Sequence, residues 1–173
     1  MTISTRSFLT ALAGTLLLAA ALAYADDWHD DLALESLADN AVEGDSLQGR
    51  VVLLQFWASW CRSCGQLMSD MDEVAARFPS VRYLAVSKDE DAADARRRLG
   101  SHPLFPRHPE RFFHDTHGRL AARLAVTTVP TVLVIAADGR ERLRHSGHFN
   151  SSELGRLVAL LARLDSGSGP AGE

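Results

Sequence analysis

From Val51 to Trp57 the chain reads VVLLQFW, an apolar run interrupted only by Gln55. A strand with one wet face alternates apolar and polar residues, so a run of this kind belongs inside a sheet covered on both faces. It leads at once into ASWCRSCGQLM, where Cys61 and Cys64, the chain's 2 cysteines, stand at C-x-x-C spacing. Past them Leu67, Met71, Val74, Ala75 and Phe78 recur at helical spacing, with Asp70, Asp72, Glu73 and Arg77 opposite, until Pro79 stops the pattern. A buried strand therefore feeds an amphipathic helix, and both sulfurs sit at the junction.

The alternation continues downstream. Val81 to Ser87 (VRYLAVS) reads as a second strand and Asp91 to Leu99 as a charged helix closed by Gly100. Strand, helix, strand, helix implies parallel pairing. The segment SHPLFPRHPERFFHD is interrupted by Pro103, Pro106 and Pro109 and reads as a loop with a short extended piece near Phe112; Gly118 to Leu124 reads as a short helix. Pro130 opens an apolar strand from Thr131 to Ile135, Asp138-Gly139 supplies a tight turn, and Arg140 to His145 returns with arginines at period two, as suits a solvent-facing edge. Ser151 or Ser152 is expected to cap a last helix, ending near Leu164, whose apolar stripe is Leu154, Leu157, Val158 and Leu161. Residues 165–173 read as a disordered tail and 26–48 as a polar N-terminal extension, so the domain is expected over 49–164.

Residues 1–25, MTISTRSFLTALAGTLLLAAALAYA, read as a signal peptide: Arg6 precedes an apolar stretch from Phe8 to Ala23, and Ala23-Tyr24-Ala25 has the form preferred at a cleavage site. Cleavage after Ala25 and a periplasmic or secreted location are expected, with an uncleaved anchor as the alternative. Removal of these residues shortens 173 residues to 148, enough for one domain, and takes away only Arg6 among the charged groups, so the formal charge of −4 becomes −5. That balance argues against a general nucleic-acid surface. An exported chain stapled by disulfides would scatter several cysteines along its length, which this one does not.

Two thiols at this spacing admit a staple, a metal clamp or a redox pair. A disulfide closing so short a loop constrains the unfolded chain little. A metal site needs further ligands, and the histidine pairs at suggestive spacing, His114 with His117 and His145 with His148, fall in loop or edge-strand sequence. Met68 and Met71 lie on an apolar helical stripe, where core packing is the usual fate of methionine. The redox reading fits best. Cys61 opens the helix beside unpaired N–H groups and the positive end of the macrodipole, and Arg62 adds a full charge, so its thiolate is favoured. Cys64 shares the stripe of Leu67 and Met71 and is expected to stay shielded until a mixed disulfide forms on Cys61, then to resolve it. No metal and no separate cofactor is called for; the Cys61–Cys64 pair is itself the redox group.

FWASWCRSC followed by VTTVPTVLVIAADGR resembles the thioredoxin superfamily, most closely its exported TlpA-like and ResA-like thiol-disulfide oxidoreductases, over about Gly49 to Leu164. The resemblance implies an α/β, thioredoxin-like fold with a central mixed sheet of about four or five strands flanked by helices on both faces. It further implies that Pro130 is a cis-proline facing the disulfide, that Val129 offers backbone groups to a substrate strand, that Trp60 belongs to the docking surface and that Trp57 packs beneath. Partners would be protein thiols and disulfides and a membrane thiol-electron donor, with the protein itself a monomer.

The departures from that pattern concern how the thiols are tuned. Gln55 stands where thioredoxins carry a buried aspartate, Leu67 where ResA-like proteins carry glutamate, Ser69 where they usually carry proline, and Arg62-Ser63 where an x-Pro pair is frequent. Deprotonation of Cys64 would then use water, a leaving thiolate or a histidine supplied by the fold. An acidic Cys61 favours an oxidant, whereas the resemblance implies a reductase of protein disulfides, the reading adopted; a copper or zinc carrier and a disulfide oxidant or isomerase are the alternatives, with a non-enzymatic binding module a further one.

Overall fold

The computed structural model describes residues 34–38 and 47–167. Among these residues six strands, β1 (Leu34–Ser36), β2 (Val51–Trp57), β3 (Val81–Ser87), β4 (Phe112–Asp115), β5 (Thr131–Ile135) and β6 (Glu141–Ser146), form one sheet in the order β1-β4-β3-β2-β5-β6. β2 pairs in parallel with β3, and β3 with β4; β5 and β6 continue antiparallel on one side and β1 antiparallel on the other. The helices are α1 (Cys64–Ala75), α2 (Ala92–Leu99), α3 (Arg119–Arg123) and α4 (Ser151–Gly167).

Every residue of β2 is buried, as its sequence requires. Its side chains alternate between two cores. Val51, Leu53 and Trp57 join Tyr83, Ala85, Val132 and Val134 under α1, α2 and α4. Val52, Leu54 and Phe56 join Leu84, Val86, Leu133 and Ile135 under α3. Helices on both faces are what allow a strand this apolar to exist in water.

Four differences from the sequence reading have physical causes. The sheet has six strands because Leu34–Ser36, in the segment read as an extension, pairs with β4 through Glu35↔His114 and its neighbours; three residues carry no period of their own, and the domain begins before Gly49. The pattern ending at Pro79 overstates α1, which stops at Ala75. The chain then tightens through Arg77 N→Val74 O and Phe78 N→Ala75 O turns, since the residue before a proline disfavours the helical region, while Phe78 stays buried. Finally, α4 is capped by Asn150 rather than Ser151 or Ser152: its Oδ1 accepts from the N–H groups of Ser152 and Glu153, both at 3.0 Å, and Glu153 Oε2 accepts from Asn150 N at 2.8 Å. The helix also runs to Gly167, past the expected end, because Asp165 receives Ser80 N at 3.2 Å and ties that turn to the residue leading into β3. The expected signal and residues 168–173 of the tail lie outside the described residues.

Candidate active site

β2 ends at Trp57, and its register with β3 (Trp57↔Ser87) brings the following turn beside residues 88–90. Asp89 uses that proximity. Its buried carboxylate accepts Ser59 N through both oxygens, at 3.0 and 2.9 Å, Ser59 Oγ at 2.7 Å and Ser87 Oγ at 2.6 Å. Charge-assisted bonds of this kind are among the stronger ones available, so the turn that presents Trp60 and Cys61 is anchored from below. His114 reinforces it by donating Nε2–H to the Asp89 carbonyl at 2.8 Å.

Cys61 and Cys64 form a disulfide. Arg62 and Ser63 make the turn between them, and the regular helix starts at Cys64 with no acidic residue in its first turn. The positive end of α1 therefore faces the sulfurs without a competing carboxylate. Ser63 Oγ lies 3.7 Å from Cys61 Sγ, and Arg62 is exposed, with no carboxylate partner among the described residues. Trp60 is 71% exposed, so a large aromatic face stands in water directly before Cys61. The Val129–Pro130 peptide bond is cis; Val129 is half-buried and packs against the core cluster that contains both cysteines.

Below Cys64 the surroundings are polar but closed. Gln55 is fully buried, donates Nε2–H toward the Cys64 carbonyl at 3.4 Å and accepts the Tyr83 hydroxyl at 2.8 Å. Gln55 thus contacts the backbone of Cys64 rather than its sulfur. Burial pushes the Tyr83 hydroxyl far up from its ordinary range, the Asp72 carboxylate adds to this, and Arg111 opposes it. Tyr83 remains a proton donor under ordinary conditions. Asp72 in turn pairs with Arg111.

Beside the disulfide lies a small cavity lined by Trp57, Ala58, Cys61, Cys64, Gly65, Met68, Arg98, Leu99 and His102. The fold does bring a histidine here. His102 is held at both nitrogens: Leu104 N donates to Nδ1 at 3.3 Å, so the proton is on Nε2, which donates to the Gly65 carbonyl at 3.0 Å. Gly65 leaves room for this approach, since a Cβ there would meet Arg98 Nη2 at 3.2 Å and His102 Cδ2 at 3.6 Å.

Asp89, Tyr83, Arg98 and His102 were not identified from sequence. The parallel pairing of β2 and β3 predicts that the residues following each strand adjoin, and that signal could have pointed to Asp89. The histidine pairs have other work: His114 supports Asp89, and His145 donates to the His148 carbonyl at 2.9 Å while its ring lies 4.0 Å from that of Phe149. Met68 and Met71 are core residues. Among the described residues no group of three or more His, Cys, Asp and Glu is arranged to hold a metal ion, and no helix is long and apolar enough to cross a membrane.

Comparison with known proteins agrees with this geometry. The soluble secreted antigen MPT53 of Mycobacterium tuberculosis is 27% identical over 128 residues, covering 72% of each chain. The thiol:disulfide interchange protein DsbE homolog of Paracoccus denitrificans is 34% identical over 103 residues, 58% of this chain and 52% of that one. The structure of MTB DsbF in its mixed oxidized and reduced forms superposes with a TM-score of 0.63 at 25% identity, covering 78% of this chain and 97% of that one. A family model described as Thioredoxin-like matches residues 49–141, more than half of the 173 residues, and contains β2, the C-x-x-C turn, α1 and the cis-proline; the chain belongs to the thioredoxin-like family.

Proposed function

We propose that this protein is an exported thiol-disulfide oxidoreductase that reduces disulfides in other proteins through Cys61 and Cys64. The observation that carries the reading is the disulfide at the β2–α1 junction: Cys61, 7% exposed, borders an exposed rim of Trp60 and Arg62, and Cys64 is 1% exposed beneath it. Relatives whose names include thiol:disulfide interchange protein and secreted antigen support both the chemistry and the export.

In the reduced protein the Cys61 thiolate attacks a substrate disulfide, forming a mixed disulfide and expelling one substrate thiolate. The Cys64 thiolate then attacks Cys61 Sγ. The Cys61–Cys64 bond closes, the second substrate sulfur leaves, and two electrons have passed to the substrate. A membrane thiol donor returns them. Arg62 and Ser63 tune Cys61, Gln55 steadies the backbone of Cys64, and Trp60 with the Val129–Pro130 segment receives the partner chain. Cells expressing Cys64→Ala are expected to accumulate client proteins joined to Cys61 and released by added dithiol. Recovery of the variant with Cys61 free, reactive and joined to nothing would overturn the reading.

A second reading, a disulfide oxidant, is favoured by one observation. Arg62 and Arg98 both stand near the disulfide without a carboxylate partner among the described residues, and positive charge stabilises the dithiol state. Clients trapped as newly exported, cysteine-paired chains would support it over the reductase.

A further inference from the structure

Two residues that line the cavity beside the disulfide, Trp57 and Arg98, carry side-chain hydrogen-bond donors with no acceptor among the described residues. Trp57 is 1% exposed, and its Nε1–H has no acceptor among the described residues. An orphaned buried donor of this kind is uncommon and calls for an explanation. Arg98 supplies the second donor. Its two neighbours on α2 are committed elsewhere, Arg96 to Glu35 and Arg97 to Asp94, whereas the Arg98 guanidinium approaches Gly65, and Arg98, a cavity-lining residue, has no carboxylate partner among the described residues. The other groups nearby cannot accept from them. His102 has both nitrogens occupied, the Asp89 carboxylate is committed to Ser59 and Ser87, and Asp72 is committed to Arg111. Arg62, on the exposed turn, adds charge of the same sign.

Trp57, with its buried and unpartnered indole N–H, Arg98 and Cys64 line one small space, and two such donor-bearing residues beside a sulfur suit an anion there. We propose that Trp57 Nε1–H and the Arg98 guanidinium stabilise the Cys64 thiolate, directly or through one water, and so take over the task of a general base. Cys64 then needs only water or the departing substrate thiolate as proton acceptor, and its attack on Cys61 Sγ proceeds as written above. The inference deepens the proposed function and rests on it for its biological meaning, but the thiolate can be read without turnover.

The test uses the full chain. With Cys61→Ala, Cys64 is the only thiol and its ionisation is followed by thiolate ultraviolet absorbance. Adding Arg98→Gln is expected to move the midpoint up by about one pH unit or more, and Arg98→Lys to restore most of it. With both cysteines present, Arg98→Gln slows resolution of a Cys61 mixed disulfide roughly tenfold at neutral pH, and the deficit closes as pH rises and the thiolate forms unaided. Trp57→Phe removes the N–H while keeping a ring and shifts the midpoint the same way; where it folds poorly, Arg98→Gln decides alone. An unmoved midpoint in folded Arg98→Gln, or a slowing equally deep at every pH, overturns the inference. If the unsubstituted protein exchanges normally while Arg98→Gln is silent, this inference alone fails; if the unsubstituted protein exchanges with no dithiol, the proposed function fails and the titration still judges the thiolate.

Discussion

Cys61 and Cys64 are three residues apart, yet the chain treats them differently. Cys61 sits on a turn whose neighbours Trp60 and Arg62 stand in water, and its supports come from outside α1, through Asp89 and Ser59. Cys64 is the first residue of α1, enclosed by the core, with Gln55 on its carbonyl and the donor-lined cavity at its side. The difference teaches that C-x-x-C spacing alone does not assign the two roles. A clamped turn sets Cys61, 7% exposed, beside the exposed Trp60 and Arg62, and a buried helical stripe covers Cys64, 1% exposed.

The sharpest way to break this contrast is to remove the clamp. Asp89→Ala leaves Ser59 N, Ser59 Oγ and Ser87 Oγ without their carboxylate in a buried setting, and is expected to cost about 3 kcal/mol in urea unfolding. The turn should loosen as well. Differential alkylation of the reduced protein is expected to lose part of its preference for Cys61. A preference as strong as in the unsubstituted chain would mean that α1 alone sets the asymmetry.

A smaller change probes the floor beneath Cys64. Tyr83→Phe leaves Gln55 Oε1 without its donor and is expected to cost about 1–2 kcal/mol. It also alters pH dependence in a definite direction. The folded protein holds the Tyr83 proton well above the ordinary tyrosine value of 10.0, so the unfolded chain releases that proton first as pH rises. The contribution of Tyr83 is fully present below pH 10.0 and declines above it, because only the unfolded state gains from ionisation. Urea midpoints that fall above that pH in the unsubstituted chain and fall less in Tyr83→Phe would agree. Equal slopes would mean that the hydroxyl is not held protonated.

Which parts of this arrangement were legible in the sequence follows from how far apart the cooperating residues lie. β2 and α1 declare themselves by local period, and the cysteines by spacing, so the junction and the burial of Cys64 could be read directly. The arginine-marked return strand could also be read, and β6 does form an edge, with Arg142 paired to Asp138 and Arg144 to Glu141. β1 could not, because three residues hold their place only through contacts distant in sequence, with β4 and with Arg96 of α2. Asp89 lies 30 residues from Ser59 and looks, in SKDEDA, like any solvated charge. Arg98 sits in a run of three arginines, and nothing local distinguishes the one that turns toward the sulfurs. His102 was foreseeable only as an unspecified histidine, since its contact with Gly65 spans 37 residues. Side chains that tune a site from neighbouring elements leave no period behind, whereas the elements that carry the reacting atoms do.

The smallest effect is the control that gives the larger ones meaning. Asn150→Ala removes the acceptor for Ser152 N and Glu153 N at the start of α4, and is expected to cost about 1 kcal/mol. α4 covers the same core as α1 through Leu157 and Leu161, so the variant weakens the domain without touching the turn, the cavity or Gln55. Its stability should drop in urea while the alkylation preference for Cys61 stays as it was. A preference that fell in step with stability here would make the asymmetry a property of the whole domain's rigidity, and the clamp at Asp89 would then be one support among many.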